Sequence, residues 1–178
     1  MKSLHGTVKS VILLVAILTT GLVALRAEAQ AIRFTAPLAD CLAAPGTPML
    51  GTLDIYSLTC ERLEGGVGLI AYNQQNLYVA SVGPGVYNIR VKIGNWLSVW
   101  VRNVNLVWGG ITVTFPQAMN GDADGDDSVD LRDVTTLLIN FGTSSTPPIT
   151  GDLNWDGQVT LLDLTILLLR FGNTGSPC

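Results

Sequence analysis

The chain has 178 residues, 48% of them hydrophobic and 13% charged, which is enough for one ordinary domain and a small second module. From residue 30 onward it carries 13 acidic and 7 basic residues, and residues 121–178 alone hold 9 acids and 2 bases. This acidic segment excludes a nucleic-acid-binding role and implies a bound cation.

The first 29 residues have the pattern of a secretory signal peptide. Lys2 and Lys9 give a basic start, residues 11–25 form an apolar run, and small residues surround Glu28. The run is shorter than the about 20 residues that span a bilayer. We therefore expect cleavage after Ala29, no membrane span in the mature chain, and a secreted protein without the only histidine, His5.

Residues 30–117 have the pattern of short strands separated by Gly, Pro and Asn. The alternation is clearest in residues 87–93, where Tyr87 and Ile89 alternate with Asn88 and Arg90. Strands are predicted at residues 51–58, 67–72, 77–82, 87–93, 97–101, 104–108 and 111–115. Seven short strands at this spacing predict an antiparallel β-sandwich.

Part of this segment resembles a known type of sandwich. The stretch GPGVYNIRVKIGNWL, followed by VRNVNLVWGGITVTF, is similar to the second half of a carboxypeptidase-regulatory-like, or prealbumin-like, domain. The resemblance implies a spacer or binding role and no catalytic residue.

Two tryptophans of this segment leave two interpretations open. If Leu97, Val99 and Val101 face the core, Trp96 and Trp100 lie on the opposite face of the same strand. There they either pack against another element, which we favour, or stack on sugar rings.

Catalysis is not expected from the acids of the sandwich, because Asp40, Asp54, Glu61 and Glu64 have no histidine partner. A small hydrolase is the weakest of the alternatives.

Three cysteines in an exported chain suggest a disulfide. Cys41 and Cys60 can close a loop worth about 3 kcal/mol, which leaves Cys178 unpaired. Three free thiols are the alternative interpretation.

The strongest signal is a pattern written twice, GDADGDDSVDLRDVTTLLINFG in residues 121–142 and GDLNWDGQVTLLDLTILLLRFG in residues 151–172. In each copy, oxygen donors recur at places 1, 3, 5, 7, 9 and 12 of a twelve-residue loop, which is the ligand spacing of an EF-hand calcium loop. The predicted ligands of the first loop are Asp122, Asp124, Asp126, the backbone carbonyl of Ser128, Asp130 and Asp133. Those of the second loop are Asp152, Asn154, Asp156, the backbone carbonyl of Gln158, Thr160 and Asp163. Because all donors are hard oxygens, we predict two calcium ions.

Two features distinguish these loops from an ordinary EF-hand. The twelfth residue is Asp rather than Glu, and no helix enters either loop, since residues 118–120 are too few and residues 143–150 contain two prolines. The doubled pattern GDxNxDGxVxxxDxxxLLxxFG resembles the type I dockerin module of bacterial extracellular assemblies. This resemblance covers residues 121–172 and implies two calcium ions and docking onto a cohesin domain, often in polysaccharide-degrading systems.

The helices that leave the two loops repeat as well. Both have apolar residues at i, i+3, i+4 and i+7, and we expect these two stripes to face each other. They are Val134, Leu137, Leu138 and Phe141, and Leu164, Leu167, Leu168 and Phe171. The second helix has further apolar residues, which should meet the sandwich or a partner: Leu161, Leu162, Ile166 and Leu169.

The predicted fold class is thus an all-β antiparallel sandwich, residues 30–117, followed by a small dockerin-like domain, residues 118–178, with a pair of calcium loop-helix units. The expected function is a secreted, non-enzymatic, calcium-binding docking protein whose helices, residues 131–142 and 161–172, bind a cohesin-like partner. The alternative is a carbohydrate-binding or adhesive protein in which the sandwich binds polysaccharide and the repeat is structural. We expect calcium removal to unfold residues 121–172 and to leave the sandwich folded.

Overall fold

The computed structural model describes residues 30–144 and 150–178, and the predicted signal peptide lies outside these residues. The elements follow in the order β1 (Gln30–Thr35), β2 (Pro48–Tyr56), β3 (Arg62–Ala71), β4 (Asn76–Ala80), β5 (Gly85–Ile93), β6 (Trp96–Leu106), β7 (Ile111–Thr114), α1 (Leu131–Ile139) and α2 (Leu161–Arg170).

The strands form two sheets with the orders β4-β1-β7 and β3-β2-β5-β6. Every pair is antiparallel except β1 with β7, which is parallel. The two sheets enclose one apolar core, whose largest wholly buried side chains include Ile32, Met49, Ile55 and Ile89. The predicted fold class, a β-sandwich followed by two short helices, is confirmed.

Two details of the strand prediction were wrong. Strand β1 was not predicted, although it is the middle strand of its sheet. Residues 97–101 and 104–108 were predicted as two strands, but β6 runs without interruption from Trp96 to Leu106. It continues through Asn103, which has a φ of 54° and whose backbone N–H donates to the Asn88 side chain at 3.1 Å.

A bulge in β6 changes which residues face the core. Val99 pairs with Val91 and Trp96 with Ile93, so three steps along β6 oppose two along β5 and Trp96 comes onto the same face as Val99. Trp96 is wholly buried, and its Nε1 donates to the Ala39 carbonyl at 2.8 Å. The expectation that Trp96 lies on the opposite face from Val99 was therefore wrong.

The interpretation that these indoles pack, rather than stack on sugars, agrees with their surroundings. The Trp100 ring lies 4.8 Å from the Tyr56 ring, and its Nε1 donates to the Ser176 carbonyl at 2.6 Å.

Both helices start at the predicted residues, 131 and 161, but they end at Ile139 and Arg170, before the predicted ends at residues 142 and 172. Asp130 and Thr160 are the N-caps, and each forms a capping box with the Asp three residues later. Leu137 and Leu167 are wholly buried in a second apolar cluster, which also includes Leu97 from β6. Within the described residues, neither helix has the length and apolarity needed to cross a membrane.

The predicted facing stripes are only partly buried. Val134 and Leu164 pack against the second cluster beside Leu137 and Leu167. The other four members are exposed: Leu138, Phe141, Leu168 and Phe171. Of the additional apolar residues of α2, only Ile166 is buried.

Candidate metal loops and helix surface

The first residue of each loop is a wholly buried aspartate that accepts backbone hydrogen bonds from its own loop. Asp122 accepts from Gly125 N at 2.7 Å and from Asp127 N at 2.9 Å. Asp152 accepts from Asp156 N at 3.2 Å and from Gly157 N at 2.9 Å. The loop backbone therefore wraps around one carboxylate in each repeat.

The twelfth residue of each loop joins the loop to its helix. Oδ1 of Asp133 accepts from Ala123 N at 2.7 Å and from Asp124 N at 3.2 Å, while its Oδ2 accepts from Asp130 N at 2.7 Å. The buried Asp163 repeats these three bonds with Leu153, Asn154 and Thr160 at 2.9, 3.3 and 2.8 Å. A carboxylate has about four lone-pair sites, so the three amide bonds of Asp133 leave capacity for a metal ion. Asp163 accepts a fourth hydrogen bond, from the Thr160 hydroxyl at 3.2 Å.

The ninth residue of each loop caps its helix. Asp130 accepts from Arg132 N at 2.7 Å, and Thr160 Oγ1 accepts from Leu162 N at 3.2 Å. These contacts serve the helix start whether or not the residue also contacts an ion through water.

The third and fifth residues of the first loop complete a group of carboxylates. Oxygen atoms of Asp122, Asp124 and Asp126 lie within 4.8 Å of one another. Three converging hard oxygens suit a metal ion, and the structure therefore fits the predicted donor set at these three positions.

The second loop has a related arrangement with one amide in place of a carboxylate. Asn154 is buried, its Oδ1 accepts from Asp156 N at 3.0 Å, and its Nδ2 donates to Asp156 Oδ2 at 3.1 Å. The seventh residues, Ser128 and Gln158, each donate their backbone N–H to the fifth-place aspartate at 2.9 Å. The two loops thus share one backbone geometry.

Burial changes the acidity of the first aspartates. Burial raises the pKa of Asp122, while the Lys92 ammonium and two backbone amides oppose this increase. Burial also raises the pKa of Asp152, against backbone hydrogen bonds and with a further increase from Asp163 and Asp156. A buried carboxylate favours any arrangement that places a cation beside it.

The sandwich supplies residues to the first loop that sequence analysis did not assign. Lys92 Nζ lies 2.7 Å from Asp122 Oδ2, and Arg90 lies 3.5 Å from Asp127 Oδ2. Asp127 also accepts from the backbone N–H and the hydroxyl of Ser98. The available signal was the basic face of β5, where Arg90 and Lys92 alternate with core residues beside an acidic module.

The second loop contacts the sandwich through its backbone and one indole. Trp155, with a φ of 61°, packs against the sandwich core, and its ring lies 6.1 Å from that of Trp96. Asn95 Nδ2 donates to the Asp152 carbonyl at 3.0 Å, and Leu42 N donates to the Asn154 carbonyl at 2.7 Å. Both loops are therefore seated on the sandwich.

The C-terminal segment, residues 173–178, lies between the first loop and β6. Gly175 N donates to the Asp127 carbonyl at 2.8 Å, and Arg102 donates to the Pro177 carbonyl. Cys178 forms a disulfide with Cys60, with the two Cα atoms 5.8 Å apart. Cys41 is a free, half-buried thiol.

The predicted Cys41–Cys60 pairing was therefore wrong. The partners are separated by 118 residues, and they meet because the C-terminal segment returns along β6 to the β2–β3 turn. Spacing along the sequence carries no signal for such a contact.

The helices expose large apolar side chains at the same positions of both repeats. Ile139 and Leu169 are 77% and 73% exposed. Four pairs of equivalent residues share this exposure, the last pair just beyond the helix ends, and Leu162 adds a ninth residue whose counterpart is Arg132. We call the whole set the exposed helix residues: Leu131, Leu138, Ile139, Phe141, Leu161, Leu162, Leu168, Leu169 and Phe171. So many large apolar side chains exposed on and beside two short helices have the character of an interaction surface.

No protein-family model and no curated protein sequence matches the chain. Among solved structures, it is similar to a chain of a C-terminal interface mutant of a type II Cohesin-X-Dockerin complex from Acetivibrio cellulolyticus, with a TM-score of 0.61, 22% identity and coverage of 82% of this chain and 97% of that chain. An N-terminal interface mutant of the same complex has a TM-score of 0.58, 20% identity and the same coverage. At these identities the similarity shows a shared fold.

Proposed function

We propose that the protein is a secreted docking module that binds two calcium ions and, through its exposed helix residues, a cohesin-type domain of another protein. The observation that carries this proposal is the doubled loop, because each copy has a buried aspartate held by its own backbone and an exiting helix with exposed apolar residues. In the first copy, carboxylate oxygens of Asp122, Asp124 and Asp126 also converge. The fold shared with chains of a Cohesin-X-Dockerin complex supports the class of partner.

Calcium is the metal that suits these loops best. The donors are carboxylates, amide and hydroxyl oxygens and backbone carbonyls, and such sets prefer calcium to zinc or copper. Bound calcium would place positive charge beside the buried Asp122 and Asp152. The first calcium would be held by Asp122, Asp124 and Asp126 together with Ser128, Asp130 and Asp133, and the second by the equivalent residues of the second loop.

The protein is proposed to have no enzymatic activity and to act outside the cell. The Cys60–Cys178 disulfide supports an oxidising compartment. The acids of the sandwich include Asp54, which is paired with Arg62 at 2.8 Å, and Glu64, which accepts from the Tyr78 hydroxyl at 3.0 Å. Both carboxylates are thus used in contacts within the sandwich.

Binding to immobilised type I and type II cohesin domains, measured in calcium and in chelator, tests this function. We expect binding to one cohesin class in calcium and at least about tenfold weaker binding in chelator, because calcium binding stabilises the folded loops. The Asp124→Ala variant removes one of the three converging carboxylates of the first loop. It should therefore need a higher calcium concentration to reach the same cohesin binding. Equal binding in calcium and in chelator would contradict the calcium requirement, and binding to neither class would contradict the proposed partner.

A further inference from the structure

We propose that Lys92 is a built-in counter-ion of the first loop, which keeps this loop folded without calcium and makes its calcium affinity lower than it would otherwise be. Lys92 is a positioning residue in this scheme, because it acts through Asp122. The inference rests on the calcium-binding function proposed above, and it predicts that the two loops depend on calcium to different degrees.

The Lys92 ammonium is held firmly beside the buried carboxylate. Its Nζ lies 2.7 Å from Asp122 Oδ2 and donates to the Gly94 carbonyl, also at 2.7 Å. The Lys92 side chain is 13% exposed and the Asp122 side chain is fully buried. Salt screens such a pair far less than a surface pair, and removing either charge leaves the other one buried without its partner.

The ammonium and a metal ion can contact Asp122 at the same time. Lys92 shares Oδ2 with the Asp127 backbone N–H, whereas Oδ1 accepts only from Gly125 N among the hydrogen bonds of the described residues. Oδ1 therefore keeps a lone pair for an ion. Two cations on one carboxylate repel each other, so Lys92 lowers the gain in free energy when calcium binds.

The second loop has no such lysine. In residues 30–144 and 150–178, no basic side chain forms an ion pair with Asp152, which accepts from its own loop backbone instead. The two basic residues of the acidic module face elsewhere, Arg132 toward Asp126 and Arg170 toward Asp40. The negative charge at Asp152 is therefore left for calcium to neutralise.

Other contacts should also keep the first loop folded when calcium is absent. The Asp127 carboxylate accepts from Ser98, and the Asp127 carbonyl accepts from Gly175 N. The Arg90 guanidinium adds a second positive charge near Asp127. Both loops are seated on the sandwich, but only the first has basic side chains of the sandwich beside its carboxylates, so we expect its order to depend less on calcium.

The test uses the full mature chain with the variants Lys92→Gln and Lys92→Arg. Hydrogen exchange of peptides from the first loop is measured in chelator, and calcium affinities are measured by titration calorimetry. For Lys92→Gln we expect at least about tenfold faster hydrogen exchange in the first loop. We also expect the calcium affinity of the first loop, the weaker of the two sites in this scheme, to rise about tenfold, which is a usual size for coupled charges. Lys92→Arg should remain close to the wild type, and exchange in the second loop should change less.

A double variant separates a charge effect from a packing effect. In chelator, Lys92→Gln combined with Asp122→Asn removes both charges, and it should recover most of the first-loop protection that Lys92→Gln loses. If Lys92→Gln folds only in calcium, the counter-ion role is supported directly. If Lys92→Gln leaves both the exchange and the calcium affinities unchanged, or if the double variant recovers nothing, the inference is wrong.

The same experiments distinguish this inference from the proposed function. A wild-type chain that binds no calcium would contradict the calcium-binding function, while exchange of the first loop in chelator would still decide whether Lys92 orders it.

Discussion

Asp127 shows how one residue can break a loop rule and stabilise the molecule. The sixth position of a calcium loop requires positive φ and usually carries glycine. Here Asp127 adopts a φ of 73°, whereas the second loop has Gly157 with a φ of 90°. From sequence, Asp127 looks like a cost to the first loop. In the structure this strain is offset, because the Asp127 carboxylate accepts a hydrogen bond from Ser98 and lies beside Arg90.

We expect Asp127→Gly to destabilise the protein. Glycine would relieve backbone strain of about 1 kcal/mol, but hydrogen bonds to a charged group are worth about 1.5–3 kcal/mol. The free energy of unfolding in urea should therefore fall by about 1 kcal/mol or more. Asp127→Asn is the matched control, because it tolerates positive φ, keeps an acceptor for Ser98 and loses only the charge. A more stable Asp127→Gly protein would show that the strain outweighs the contacts.

At the scale of elements, the two helices differ from ordinary surface helices. Each packs one side against the second apolar cluster and leaves large apolar residues exposed at equivalent positions of the two repeats. The proposed docking role makes these side chains the centre of the interface, since buried apolar anchors usually carry most of the binding energy.

Charge at an exposed helix position should weaken partner binding without unfolding the protein. Leu169→Arg is expected to lower cohesin affinity by at least about tenfold if Leu169 is such an anchor, with little change in the melting temperature. Leu77→Arg on β4 is a control with similar exposure, 62% against 73%, and should bind normally. Equal affinities of the two variants would place the interface elsewhere. Isothermal titration calorimetry and thermal unfolding provide the two measurements.

The C-terminal segment, like strand β1, was not predicted from the sequence. Cys178→Ser should lower the free energy of unfolding by about 2–4 kcal/mol, because the disulfide no longer restricts the unfolded chain. Cys41→Ser is the matched control, because Cys41 is a free thiol. Urea unfolding of both variants and of the wild type is compared under non-reducing conditions, and reduction of the wild type should lower its stability as Cys178→Ser does. If Cys178→Ser is as stable as Cys41→Ser, the segment is held by its hydrogen bonds alone.

The repeated elements were predictable because their information is local. Loop spacing, the caps at Asp130 and Thr160 and the burial of Leu137 and Leu167 follow from short patterns. The rest depends on contacts between distant parts of the chain. Tertiary packing decides the bulge that turns Trp96 into the core and the pairing of β1 with β4 and β7. It also decides that Lys92 pairs with Asp122, since the alternation in β5 indicates a basic face but not its partner.

At the scale of the whole molecule, the sandwich and the loop-helix units share an interface. Trp96 belongs to the sandwich core while its neighbour Leu97 belongs to the second cluster, and Trp155 of the second loop packs against the sandwich core. Because of these contacts, we expect a change in one unit to affect the other, whereas the sequence alone predicts that the sandwich stays folded when calcium is removed.

Calcium removal should accordingly lower the stability of the entire chain. A free calcium concentration a thousandfold above the dissociation constant stabilises the folded protein by about 4 kcal/mol per site. Because the two units share an interface, we expect both to be stabilised. We expect one cooperative thermal transition that moves to lower temperature in chelator, with the helix signal and the tryptophan fluorescence changing together. Two separate transitions, with the fluorescence transition insensitive to chelator, would show that the units unfold independently.

The Cys60–Cys178 bond has a mechanical consequence. It closes a covalent ring from residue 60 to residue 178 that contains both loops and both helices. A pulling force between a partner held at α2 and the start of β1 would pass from α2 through the C-terminal segment and the disulfide to Cys60. Only residues 30–60 and the few residues after α2 could then lengthen, by at most about 3.3–3.6 Å per residue. Most of the chain is thereby shielded from the load.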